Sequence, residues 1–167
     1  MRRIRYVVAS SLDGYIAGPN GEADWIIMDP DVDFGDLYRQ FDIVLLGRRT
    51  FETMAGNMVP DMKTIVFSRS LRQSDYPAVT IANESPAGML TALKASRGKD
   101  IWLFGGGLLF RSLADAHLVD TVEVAIVPIL LGGGIPLLPN PSSRIKLALI
   151  SHKVYRPGVV SLEYLVT

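Results

Sequence analysis

Three short segments carry groups able to hold a multiply charged anion. Gly105-Gly106-Gly107 follows the apolar run Ile101-Trp102-Leu103-Phe104 and precedes an apolar-faced segment from Leu108. A loop free of side chains at such a junction lets backbone N–H groups approach a phosphate or pyrophosphate. The same glycines also suffice for a plain strand-to-helix turn, and they do not spell G-x-G-x-x-G, the fingerprint of Rossmann dinucleotide folds. Gly47-Arg48-Arg49-Thr50 and Ser68-Arg69-Ser70 each end an apolar run, and each supplies guanidinium and hydroxyl donors suited to phosphate oxygens. A single exposed arginine is ordinarily just solvated; three such loops together make the better case for an anionic cofactor. A second triplet, Gly132-Gly133-Gly134, lies between Pro128 and Pro136 and reads as structural.

For a proton, or for the polar edge of a substrate, Asp33 is the first choice: a helix-borne carboxylate one turn before Leu37 faces a pocket beside an apolar stripe. Asp29, Asp31, Asp33 and Asp36 also read as a plain acidic helix start, favoured by the helix dipole. Trp25 is placed to close over a heterocyclic ring, or simply to pack as core or lid. His117 and His152 are far apart with no ligand spacing around either, so no metal site is expected. Met54, Met58 and Met62 are interrupted by Gly56 and Pro60 and read as packing near a loop.

Short β-branched runs alternating with helical segments must position these groups. Arg5 to Ala9 and Tyr15 to Ala17 read as strands joined by a turn at Asp13-Gly14. A helix is expected after Asp29, with Asp29 as N-cap, Pro30 at the first position, and Phe34, Leu37, Tyr38 and Phe41 as its buried stripe. Strands follow at Ile43 to Leu46, Thr64 to Phe67, Ala78 to Ala82 and Ile101 to Phe104. Helices are expected from about Thr50, from Ser85-Pro86, and over Leu108 to Ala116. The last third is strand-rich: Val122, Val124 and Ile126 alternate with Thr121, Glu123 and Ala125, and Leu147 to Tyr155 pairs with Val159 to Val166. Between them, Pro157-Gly158 fits the central positions of a tight turn. The expected fold is α/β: a mixed, mostly parallel central sheet with a C-terminal antiparallel hairpin.

The chain has 167 residues, 17 Lys plus Arg against 17 Asp plus Glu, 49% hydrophobic residues and no cysteine. That length predicts one domain, residues 1–167. Zero net charge removes the simplest case for a nucleic-acid partner. Without cysteine there is no disulfide, thiol nucleophile or thiolate zinc site. The apolar run after the basic start ends at Ser10, too short for a signal core or membrane span, so a cytoplasmic protein without a membrane partner is expected. Apolar residues on alternating positions of the last two strands, Leu147, Leu149, Val160, Leu162 and Tyr164, predict a homodimer.

Taken in order, these segments resemble the dihydrofolate-reductase-like superfamily, whose three-layer fold they imply, and within it the reductase domain of riboflavin biosynthesis. Ser11-Leu12-Asp13-Gly14-Tyr15-Ile16-Ala17 is similar to the family's N-terminal strand and loop, Leu46-Gly47-Arg48-Arg49-Thr50 to its G-R-x-T segment, Phe67-Ser68-Arg69 to its adenosine-end loop, and Gly105-Gly106-Gly107 to its pyrophosphate loop. The resemblance implies an NADPH-dependent oxidoreductase acting on a small-molecule substrate, heterocyclic or sugar-bearing, of the 5-amino-6-(5-phosphoribosylamino)uracil type. It implies Ala9 and Ile16 near the nicotinamide, Gly47, Arg48 and Thr50 at phosphates, Ser68 and Arg69 toward the 2′-phosphate, and Gly105, Gly106, Gly107, Leu108 and Leu109 along the pyrophosphate. Asp31 and Trp25 are then expected at the substrate and Asp33 as the catalytic carboxylate. If the strands before Arg48 and Arg69 are neighbours, two guanidiniums and two hydroxyls converge.

Dihydrofolate reductases proper pair their helix carboxylate with a strand threonine, and Ala125 stands at that place here. The stretch from Leu118-Val119-Asp120 through Ile126 to Gly134 looks instead like the riboflavin-type reductase. The zinc deaminase half of the bifunctional riboflavin enzymes cannot exist in a chain without cysteine. A pterin reductase and a non-catalytic NADPH-binding sensor are the alternative readings.

Overall fold

The computed structural model describes residues 1–27, 29–30, 32, 34–54, 59, 61–140 and 144–167. The apolar runs become strands β1 (Ile4–Ser11), β2 (Tyr15–Ala17), β3 (Phe41–Gly47), β4 (Lys63–Phe67), β5 (Thr80–Ala82), β6 (Asp100–Gly105), β7 (Thr121–Val127), β8 (Ile135–Pro136), β9 (Leu147–Val154) and β10 (Val160–Val166). Helices α1 (Phe34–Arg39), α2 (Arg48–Thr53), α3 (Pro86–Ala95) and α4 (Gly107–Asp115) lie between them. The main sheet runs β5-β4-β3-β6-β1-β7-β10-β9, parallel from β5 to β7 and antiparallel for β10 and β9. A separate ribbon pairs β2 with β8.

Side-chain alternation along the central strands divides the core into two layers around the sheet. Ile43 and Leu45 of β3 join Ile4, Tyr6 and Leu103 against Leu90 of α3 and Leu109, Phe110 and Leu113 of α4. Val44 and Leu46, on the other side, join Val66 and Trp102 against Phe51 of α2, with Leu37 of α1 packed on them. The result is the expected three layers, helices α3 and α4 on one face and α1 and α2 on the other. The methionines expected near a loop behave so where described: Met54 and Met62 pack on this second layer, and Met58 lies outside the described residues.

Two expectations need correction. The helix expected from Asp29 begins at Phe34 and ends at Arg39. Asp29 is no N-cap: it is buried, and its carbonyl accepts from the Val32 amide at 3.0 Å. Phe41 leaves the helical stripe because it starts β3, opposite Asp100 of β6, and packs in the core. The hairpin turn is also displaced. Gly158 donates to the Tyr155 carbonyl at 3.0 Å, so Arg156 and Pro157 are the central residues. Gly158 takes the next position at φ +87°, the left-handed conformation that closes a three-residue loop.

No helix among the described residues is long and apolar enough to cross a membrane, which leaves β-barrel insertion unaddressed.

Candidate functional site

Parallel pairing brings the carboxyl ends of four strands into one row. Leu46 lies opposite Gly105, Gly47 opposite Phe67, and Phe67 opposite Ala82. The loops after β3, β4, β5 and β6 are therefore neighbours, which is where ligands bind in open α/β sheets. A Cβ on Gly106 would stand 3.2 Å from Thr50 Oγ1, and one on Gly47 would stand 3.7 Å from the Gly106 nitrogen. Gly47, Thr50 and the glycine loop thus meet at the start of α4. The Gly105–Gly106 peptide is cis. The first amides of α4 have no partner within the helix, and Gly106 itself carries no side chain to cover them.

The neighbouring loops are less uniform than the sequence implies. Arg48 is turned along α2, its Nη1 donating to both carboxylate oxygens of Glu52 at 3.1 and 3.2 Å. Ser68 is buried, and its Oγ accepts from the amides of Ser70 and Leu71 at 3.2 and 3.0 Å. Its hydroxyl shapes the loop rather than standing free for a ligand. Arg69, at the apex of that loop, is exposed, and its guanidinium has no partner among the described residues. Leu109 is a core residue, so it can offer only its amide, whereas Leu108 is 62% exposed.

The sheet parts on the inner side of this row. Ile4, Arg5 and Tyr6 of β1 lie opposite Ile101, Trp102 and Leu103 of β6, and the pairing stops there. Both strands run on, to Ser11 and Gly105, while β1 keeps its register with β7 through Ser11 and Val127. The Val7 carbonyl, beyond the last pair, accepts from Trp102 Nε1 at 3.1 Å. Ala9 lies on this unpaired stretch, half-buried and opposite Ala125 of β7. Ile16 lies in the β2–β8 ribbon, whose Pro136 carbonyl packs so closely on Gly107 that a Cβ there would stand 2.6 Å away.

Asp13 holds that ribbon in place, a role that the turn reading of Asp13-Gly14 missed. Its carboxylate accepts from Ser11 Oγ at 2.7 Å and from the amides of Leu131 and Gly132 at 3.1 and 2.7 Å. The Ser11 hydroxyl, and then these amides, hold the carboxyl below the ordinary aspartate range. In the second glycine triplet Gly134 is structural: a Cβ there would meet the Ala17 carbonyl oxygen at 2.2 Å, whereas Gly132 and Gly133 face open space.

Beyond the row, a cavity of about 560 Å³ lies at the ends of β4 and β5, lined by Phe67, Ile81, Asn83, Glu84 and Met89 among others. Of these, Phe67 lies in the loop already singled out; sequence reasoning missed Ile81, Asn83, Glu84 and Met89, which come together only through the β4–β5 pairing and the start of α3. Trp25 is half-buried in a turn, its Nε1 donating to the Glu22 carbonyl at 3.1 Å. Asp31 and Asp33, expected at the substrate, lie outside the described residues. Among the described residues no group of three His, Asp or Glu side chains is arranged to hold a metal ion.

Comparison with known proteins agrees with this architecture. A family model described as the RibD C-terminal domain matches residues 2–161. The protein YyaP of Bacillus subtilis (strain 168) is 37% identical, over 98% of this chain and 94% of its own. The crystal structure of a putative riboflavin biosynthesis protein from Shewanella sp. PV-4 superposes with a TM-score of 0.84 at 25% identity, covering 100% of this chain and 99% of that one. Dihydrofolate reductase from Enterococcus faecalis, complexed with NADP(H), shares the fold at a TM-score of 0.71 and 19% identity, over 98% of this chain and 94% of that one.

Proposed function

The chain belongs to the RibD C-terminal domain family, and on that premise we propose that it is an NADPH-dependent reductase of the riboflavin-biosynthesis type. One observation carries the reading: β1 and β6 part beside a row of adjoining loops suited to phosphates. The site fits the cofactor's shape. Gly106 leaves the start of α4 uncovered beside Thr50 Oγ1, where a pyrophosphate can be held by backbone amides and a hydroxyl. Gly47, Gly105, Gly107 and the amides of Leu108 and Leu109 complete that cradle. Arg69 reads the 2′-phosphate, and the Phe67, Ile81 and Met89 cavity takes the adenosine end. When bound, the nicotinamide supplies the hydride.

The chain's own contribution is placement and proton handling. Ala9 and Ile16 flank the parted strands and position the ring, and the β2–β8 ribbon excludes water. In the proposal Asp33 supplies the proton, Asp31 binds the polar edge of a small heterocyclic or sugar-bearing substrate, and Trp25 covers it. Ala125 beside Ala9 brings no hydroxyl to that position, which favours the riboflavin-type substrate over a pterin. The protein is proposed to work as a homodimer: every residue of β9 is exposed, including Leu149 at 56% and Val154 at 68%, and a second copy would cover this apolar edge.

Titration with NADPH, read by quenching of Trp102 and Trp25, should give micromolar binding, followed by NADPH oxidation with a pyrimidine or flavin-precursor substrate. No binding at millimolar cofactor removes the reductase reading, and binding without turnover on any substrate favours a sensor. Asp33→Asn should abolish turnover and leave NADPH affinity intact. A monomer mass near 18.3 kDa in solution would exclude the dimer.

A further inference from the structure

The end of the sheet opposite the glycine loops carries a concentration of positive charge in a chain of zero net charge. There the amino ends of β1 and β6 open onto a cavity of about 680 Å³, lined by six Arg and Lys side chains and one carboxylate, Asp100. Most of those cations are spoken for. Arg5 makes a bidentate pair with Glu123, 2.7 Å at each contact, and also donates to Gln40 Oε1. Asp100 is shared: Arg3 reaches it through Nε and Nη2, and Arg5 approaches the same oxygen at 3.5 Å. Arg39 pairs with Asp36. Arg97 and Lys99 are exposed, and their side chains have no partner among the described residues.

The turn that presents these two is rigidly built. Buried Arg2 pairs with Asp42 and donates through Nε to the Lys99 carbonyl, while the Lys99 amide donates to Asp42 Oδ2 at 3.0 Å. Gly98 sits against that pair at φ +153°; a Cβ there would stand 2.6 Å from Asp42 Oδ2 and 2.8 Å from Arg2 Cζ. Arg2 is buried but the Asp42 side chain is 38% exposed, and a partly solvated ion pair contributes little stability. Its effect here is to fix the backbone turn that carries two unneutralised cations, Arg97 and Lys99, which line the same cavity as Arg3.

We propose that this cavity is a binding site for a small phosphoanion, its phosphoryl oxygens held by Arg97, Lys99 and Arg3. A fixed turn that carries cations matched by too few carboxylates suits a multiply charged phosphate. Gly47 and Gly105 stand at the far ends of β3 and β6, so occupancy does not compete with a ligand at the glycine loops.

The test is a titration of the full-length, isotope-labelled chain, with inorganic pyrophosphate in one arm and ADP in the other, followed through backbone amide shifts. Pyrophosphate should produce saturable shifts at Arg3, Gly98, Lys99 and Asp100 with submillimolar affinity. The double variant Arg97→Gln, Lys99→Gln should weaken that binding at least tenfold while amides elsewhere keep their positions. Equal affinity of the two probes at these amides identifies the phosphoryl groups as what is read; tighter ADP binding there identifies a nucleotide. Shifts confined to Gly47–Thr50 and Gly105–Gly107, no saturation, or an unchanged affinity in the double variant would overturn the proposal.

Discussion

Replacing Arg69 by alanine tests cofactor choice without disturbing the fold. Ser68 Oγ, accepting from the Ser70 and Leu71 amides, fixes the loop independently of the Arg69 side chain. Arg48 is engaged by Glu52, which leaves the exposed Arg69 and Arg49 as the row's free cations among the described residues, and Arg69, at the end of β4 beside the Phe67 and Ile81 cavity, is the one assigned to a 2′-phosphate. A charge-assisted hydrogen bond contributes about 1.5–3 kcal/mol when shielded, but exposed ion pairs contribute about 0.2–1 kcal/mol. For an exposed side chain making one or two such bonds, about 1–2 kcal/mol is the reasonable loss, or about 5- to 30-fold in Kd. NADH lacks the phosphate and should lose less than about twofold by the same argument. Salt should weaken NADPH binding less in Arg69→Ala than in the parent, since one screened attraction is gone. Isothermal titration of both cofactors at two salt concentrations reads all three quantities. Equal losses for NADPH and NADH would refute the assignment and pass the role to Arg48, Arg49 or Arg72.

Other perturbations separate the site from its scaffold. Gly106→Ala should keep the fold, since only the Thr50 hydroxyl must give way, yet weaken NADPH binding about tenfold in the same titration by covering the α4 amides. Gly107→Ala, set against the Pro136 carbonyl and Pro139 Cδ, should instead cost about 1–3 kcal/mol, lowering Tm by roughly 3–10 °C in calorimetry. Arg5→Met leaves Glu123 with side chains only 8% and 13% exposed before the change, so urea denaturation should show a loss of about 3–5 kcal/mol, most of it recovered in Arg5→Met, Glu123→Leu. The Asp13 carboxyl is held below its unfolded value, so its contribution is complete above about pH 4 and is lost as pH falls through the lower folded value. Hydrogen exchange at the Leu131 and Gly132 amides should therefore be protected at pH 5 in the parent and unprotected in Asp13→Ala.

What the sequence reveals about this molecule follows the range of the interactions involved. Ile43 to Leu46 and Ile101 to Phe104 announce buried strands because continuous apolar runs have few other solutions, and Gly105–Gly107 announces a loop because backbone without side chains is a local property. Ser85-Pro86 marks the start of α3 for the same reason. The start of α1 was misread because Asp29-Pro30 has the local chemistry of a helix start, while burial of Asp29 is decided by the rest of the fold. Likewise Asp13 and Gly132 are 119 positions apart, and nothing at either end of that contact signals the other. Arg48 and Ser68 are the exception to range: their partners, Glu52 and the Ser70 and Leu71 amides, lie two to four residues on, and local spacing alone does not decide whether such a group pairs within its segment or stays free for a phosphate. The residues were legible and their availability was not.

The parted sheet shows how an open strand edge can be built into a core. Separating two parallel strands leaves backbone carbonyls without ladder partners, and a buried carbonyl left unpaired costs about 1–3 kcal/mol. Trp102 resolves this at the point of separation: it lies opposite Arg5 in the last stretch of pairing, and its indole N–H reaches the Val7 carbonyl two residues on. The ring stacks on Phe41 at 5.5 Å and packs beside Phe104 at 5.1 Å, so the donor is fixed by the second core layer. Phenylalanine would fill the space and leave the carbonyl bare. On the other side β1 keeps its full register with β7, so the strand bearing Ala9 is held in position although its β6 edge is free. One edge of β1 therefore stays unpaired while the other anchors it, and the strand can be both part of the core and, under the proposed function, a wall of the cofactor site.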